Sequence, residues 1–193
     1  MRSAVLGALV LFLSLPRATL GSTVNVGTWY EFSFTEVGVE ALGCYPADSS
    51  PTALNCFPSY PLVSVFAPEP TWTFTLSQDA NLVVTDAFLH GDSFDVFNNG
   101  SYLFSTPSVP TDGLGCGDNP EVCLGDPNAS HGSFALGPGS YSISIVPNAT
   151  ADAGAAYFEV VPVPEPNLAP ALFVVLAAFA VCVLPRRPFR KTD

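Results

Sequence analysis

Three aspartates, Asp86, Asp92 and Asp95, crowd the stretch from Leu82 to Gly100, where apolar residues flank a His90-Gly91 pair. If the chain reverses between His90 and Gly91 as a hairpin, Asp86 and Asp95 face each other across the ladder, and like charges placed so are destabilising. A hard cation with oxygen ligands would relieve that repulsion. Asp86, Asp92 and Asp95, joined by Asp112 or Asp118, are therefore a candidate calcium site, and calcium is the one cofactor considered. The competing reading is a solvated acidic turn, because the stretch has neither EF-hand spacing nor the nonapeptide calcium repeat.

Other chemistry finds less support. The two histidines, His90 and His131, stand in turn-like surroundings, and no Gly-x-Ser-x-Gly elbow is present to hold a nucleophile. A carboxylate pair could hydrolyse a glycoside, but a chain with 17 acids contains many chance pairs. The expectation is a protein that is not an enzyme. The six Lys and Arg residues are confined to the two ends, Arg2 and Arg17 in the first and Arg186, Arg187, Arg190 and Lys191 in the last, against a net charge of −11. A body of one sign repels phosphate backbones and offers no Walker-type lysine, which argues against nucleic acid as a partner and against nucleotide chemistry.

Four of the five cysteines lie in the body, and Cys182 lies in the apolar segment near the C-terminus. Cys44 and Cys56 bracket one Pro- and Ser-rich loop, while Cys116 and Cys123 bracket Gly117-Asp118-Asn119-Pro120. Nearest-neighbour pairing, Cys44 with Cys56 and Cys116 with Cys123, is the favoured one of three possible connectivities because each bond would staple a local loop. Spacing without a Cys-x-x-Cys knuckle speaks against zinc.

The elements that must position these groups are strands. Trp72, Phe74 and Leu76 alternate with threonines, and Tyr141, Ile143 and Ile145 alternate with serines. Comparable runs occur at 28–34, 82–88, 94–97 and 155–161, separated by Gly, Pro, Asn and Asp clusters. Strands this short with one apolar face each are satisfied by two packed sheets. The expected fold is all-β, an antiparallel β-sandwich or jelly roll of about eight strands over residues 22–161.

The ends read as addresses. Arg2, an apolar run from Ala4 to Leu15 and small residues up to Gly21 have the pattern of a secretory signal peptide over 1–21. Residues 168–185 are apolar and uncharged, enough for one short transmembrane helix, and the basic tail 186–193 that follows would stay in the cytoplasm. Val163-Pro164-Glu165-Pro166 precedes that span within a 162–167 linker. Pro-Glu-Pro, a short apolar span and the arginines Arg186 and Arg187, in that order, resemble the tripartite PEP-CTERM sorting signal of bacterial exported proteins. The resemblance covers about 30 residues and implies a membrane transpeptidase of the exosortase type that cuts near Pro164-Glu165-Pro166. An ordinary single-span anchor with a proline-rich stalk is the alternative. The stretch from Val84 to Gly100 also resembles the body of PEP-CTERM proteins, and more loosely the edge strands of CUB-like sandwiches, without implying an activity.

Together these features lead to an expected role as an exported, non-enzymatic surface or extracellular-matrix protein of the exopolysaccharide or biofilm type. It would pass the inner membrane before processing and finish at the cell surface or outside the cell. Two other classes stay open: a carbohydrate-binding sandwich that presents Trp29, Tyr30 and Trp72 on a face or rim, and a secreted hydrolase. Burial of Trp72 would favour the first role over the binding module.

Overall fold

A computed structural model describes residues 21–44, 56–150 and 152–164. Its body is a β-sandwich of two five-stranded sheets. The first sheet has the order β1 (Ser22–Thr23), β4 (Trp72–Leu76), β11 (Gly139–Ala149), β7 (Ser93–Asn98), β8 (Ser101–Ser105). The second has the order β10 (His131–Leu136), β5 (Ala80–Asp86), β12 (Gly154–Pro162), β2 (Trp29–Phe34), β3 (Ser64–Phe66). Pairing is antiparallel except for β1 with β4 and β2 with β3. A small ladder joins β6 (Phe88–Leu89) to β9 (Gly115–Gly117), and one short helix, α1, spans Pro120–Gly125.

Alternation builds the core. Trp72, Phe74 and Leu76 of β4 and Ile143 and Ile145 of β11 point inward from the first sheet, against Tyr30, Phe32, Phe34, Leu82, Val84, Phe158 and Val160 from the second. Phe32 sits at the centre, with ring centroids 5.5 Å from Phe94, 5.7 Å from Trp72 and 6.2 Å from Phe158. Edge-to-face and offset contacts of this kind add to the area term.

The second sheet is covered on its other face as well. Trp29, Val83, Ala87 and Tyr157 form a smaller cluster there, packed against Phe88, Leu124 and Val161. Its lid is the segment around α1. Asn119 caps that helix, its side-chain oxygen accepting from the backbone N–H of Glu121 (3.0 Å) and Val122 (3.4 Å), and Pro120 follows at the first helical position. Cys116 is bonded to Cys123 across this segment, and Cys44 is bonded to Cys56. Both pairs are the local ones expected from spacing. Gly115 is required where β9 meets β6, because a Cβ there would stand 1.7 Å from the Phe88 carbonyl oxygen.

One expectation is corrected. The chain through His90-Gly91 is not a hairpin: β5 belongs to the second sheet and β7 to the first, so Asp86 lies beside Ala156 and Asp95 beside Val146 and Ser105. Period-two parity supplies the reason. A hairpin centred between His90 and Gly91 would put Leu82 and Val84 on one face and Phe94 and Val96 on the other. Crossing between sheets brings all four into one core, where each is buried. The tight hairpin lies one strand later, at Asn99-Gly100 between β7 and β8, where both residues have positive φ (48° and 74°) as a type I′ turn requires.

Candidate functional site

Three clusters of titratable groups flank the second sheet. At the end of β5, Asp86 is fully buried, its two carboxyl oxygens accepting from the N–H groups of Ala87 (2.8 Å) and Asp92 (3.2 Å). Burial, and then the neighbouring Asp92 carboxylate, push its pKa up to about 8. A cavity of about 150 Å³ opens beside the pair, lined by Phe88, His90, Asp92, Thr111, Asp152 and Gly154 among others. Asp95 does not join them. Its carboxylate accepts from the Ser105 hydroxyl and from the Asn148 amide (2.7 Å) on the first sheet. Asp112 is bonded to His90, and Asp118 lies on the covered face near Tyr157. The candidate calcium triad Asp86, Asp92 and Asp95 is therefore not assembled, because the crossing between sheets carries Asp95 away from the other two.

His90 forms the second cluster. It is buried, not solvated as its turn setting suggests, with Nδ1 3.1 Å from Asp112 Oδ1 and Nε2 3.3 Å from Asp126 Oδ2. The Leu114 backbone N–H and then His90 hold the Asp112 carboxyl below its ordinary range. Through His90 the segments before β9 and after α1 are tied together over the end of the sandwich. His131 Nδ1 lies 2.9 Å from the Ala129 carbonyl oxygen.

The third cluster centres on Glu31, which sequence reasoning missed. Cross-strand register sets Glu31 beside Tyr157 on β12 and Phe66 on β3, on the covered face. Glu31 is fully buried. Its Oε1 accepts from the Phe57 N–H at 3.0 Å, while Oε2 has no hydrogen-bond partner among the described residues. A carboxyl oxygen of Glu31 and the sulfurs of Cys44 and Cys56 all lie within 4.8 Å of one another. Among the described residues this is the one group of His, Cys, Asp and Glu so tightly placed, and its sulfurs are joined in a disulfide. Burial pushes the Glu31 pKa up to about 7, opposed by the Phe57 N–H and assisted by the Asp118 charge. The Tyr157 hydroxyl donates to the Asp118 carbonyl at 2.9 Å, and its acidity is suppressed by burial and by Glu31 and Asp118. Trp29 was the available signal: an aromatic two residues before Glu31 on the same face marks that face as covered.

The aromatics considered for sugar stacking are interior. Trp72 is 0% exposed and its indole N–H donates to the Pro68 carbonyl (2.8 Å); that of Trp29 donates to Glu121 (2.9 Å), and the Tyr30 hydroxyl accepts from the Asn25 N–H (2.8 Å). None presents a ring to a ligand. An open groove of about 490 Å³ does lie on the first sheet, lined by Thr23, Thr73, Thr75, Asn99, Ser140 and Ser142 together with Phe74 and Tyr141.

Of the sorting residues, Val163 and Pro164 are described, both exposed; the Val163 N–H donates to the Asp79 carbonyl (2.9 Å). Glu165, Pro166, Arg186 and Arg187, the signal-peptide stretch up to Leu20 and the apolar span lie outside the described residues. Among the described residues no helix is long and apolar enough to cross a membrane. No family model, curated protein or solved structure matches the chain.

Proposed function

We propose that this is an exported, non-enzymatic surface or extracellular-matrix protein, delivered by its signal peptide and matured at Pro164-Glu165-Pro166 by a membrane transpeptidase of the exosortase type. The observation that carries the reading is the order of Pro164-Glu165-Pro166, the apolar span 168–185 and the arginines Arg186 and Arg187. The fold agrees with it. The last strand ends at Pro162, and residues 162–164 are exposed at its end, with the Val163 N–H donating to the Asp79 carbonyl (2.9 Å) and the Val163 carbonyl accepting from the Gln78 amide (3.2 Å), which puts the start of the motif at the surface of the sandwich. Two disulfides suit an oxidising destination.

Replacing Glu165 with Ala tests the reading. Export continues, release fails, and a membrane-retained species carrying the tail accumulates. A Glu165→Ala protein that matured to the parental mass would leave a plain membrane anchor in its place.

Attachment to exopolysaccharide is the second reading, and the hydroxyl-lined groove on the first sheet favours it. Neutral sugars are held by such arrays of donors and acceptors. Thr73→Val with Ser142→Ala should then weaken retention on purified exopolysaccharide severalfold and leave the melting temperature of the sandwich within a few degrees of the parent.

A further inference from the structure

We infer that Cys44–Cys56 is an exchangeable disulfide, opened and closed by a dithiol, with Glu31 as the group that gives and takes the proton at the buried sulfur. This goes beyond the sorting reading and does not depend on it. Three observations place the groups. The Glu31 carboxyl lies within 4.8 Å of both sulfurs. One of its oxygens has no hydrogen-bond partner among the described residues, although the side chain is fully buried. An unpartnered buried polar atom is costly and calls for an explanation, a redox or catalytic role being one. The two cysteines also differ in exposure as residues, Cys44 being 4% exposed and Cys56 partly exposed.

The difference in exposure orders the step. A thiolate of the incoming dithiol attacks Cys56 Sγ, the S–S bond breaks, and its electron pair leaves on Cys44 Sγ. A thiolate at that buried position is poorly solvated, and the neutral Glu31 carboxyl supplies its proton. The second thiol of the dithiol then attacks the mixed disulfide and expels Cys56, to which its proton passes. Two electrons have moved from the dithiol to Cys44 and Cys56, the dithiol departs as a disulfide, and Glu31 regains its proton from solvent. Run backwards, the same steps form the bond when the chain is oxidised.

Glu31 is held ready for this role by its surroundings. Its neighbours are the Phe57 N–H, the Tyr157 phenol on β12 and the Asp118 carboxylate from the segment before α1. Burial and Asp118 keep the carboxyl protonated up to about pH 7. Above that the carboxylate faces a developing thiolate, and opening slows.

The second disulfide is an internal control. Among the described residues no carboxyl oxygen lies within 4.8 Å of both the Cys116 and Cys123 sulfurs, so its opening is expected to follow the reductant. The experiment follows reduction of both bonds in the same folded protein by dithiothreitol, with alkylation and peptide mapping, from pH 5.5 to 9. The rate at Cys44–Cys56 relative to Cys116–Cys123 falls about tenfold between pH 6 and pH 8, as one group titrating near 7 dictates. In Glu31→Gln the ratio becomes flat with pH. Parallel profiles for the two bonds in the parent, or a parental profile in Glu31→Gln, overturn the inference. If Glu31→Gln does not fold, carbon-13 carboxyl titration of the parent decides the matter. Glu31 then titrates at different pH in the oxidised and reduced forms, and identical titration refutes the coupling.

Discussion

Asp86 and Glu31 are both buried acids whose proton is retained longer in the folded chain than in the unfolded one. The folded state therefore binds more protons across the interval from the ordinary carboxylate range up to about 7 for Glu31 and about 8 for Asp86. Stability falls as pH rises through that interval and is greatest on its acid side. The Asp112 carboxyl works the other way, since its depressed pKa removes stability on acidification below the ordinary aspartate range. Thermal melts from pH 4 to 9 should then show the highest stability near pH 4 and a decline from there up to about pH 8; a flat profile from pH 5 to 9 would contradict the assignment of both buried acids as neutral. Asp92 tests the Asp86 half alone. Asp92→Asn removes the like charge but leaves Asp86 buried, so at pH 9 it should recover on the order of 1 kcal/mol and at pH 4 almost nothing. An equal effect at both pH values would mean that the two carboxylates are not coupled.

At the scale of elements, the strands were legible and their partners were not. Runs such as Thr71 to Leu76 and Ser140 to Ile145 announce a period of two, and each became a strand with the expected inner face. Which strand pairs with which depends on parity across a turn, and at His90-Gly91 parity favoured a change of sheet over a hairpin. That single choice separated Asp86 from Asp95 and removed the calcium triad. The burial of Glu31 was hidden for a related reason. Alternation in β2 is read as one wet face, whereas Trp29 and the lid around α1 cover it. The helix itself was signalled by Asn119-Pro120, a capping residue followed by proline, inside what composition marks as a loop. Two substitutions test the packing so described. Phe32→Ala, at the aromatic centre, should cost about 3–5 kcal/mol in denaturant unfolding. Replacing Cys116 and Cys123 with Ser frees the lid and should cost roughly 2–3 kcal/mol while the two main sheets keep their circular dichroism. Loss of all β signal in the second variant would make the lid part of the core.

The whole molecule has an acidic body whose described residues contain no Lys or Arg. Self-repulsion follows, and added sodium chloride should raise the melting temperature by screening it. A surface of one sign also keeps copies apart and repels anionic polymers, so any polysaccharide held under the second proposed reading is expected to be neutral. The sandwich and both disulfides could be anticipated from composition and spacing, because alternation and local cysteine pairs are short-range signals. The sorting address rests on the sequence alone, as an ordered set of three features of which only Val163 and Pro164 fall among the described residues. The measurement that bears most directly on the central claim is the intact mass of the protein recovered from the culture medium, with and without the membrane transpeptidase. With the enzyme present, the mass corresponds to a chain that begins near Ser22 and ends close to Pro164-Glu165-Pro166. A released protein whose mass still includes the span and the basic tail to Asp193, or the same mass in both strains, would contradict it.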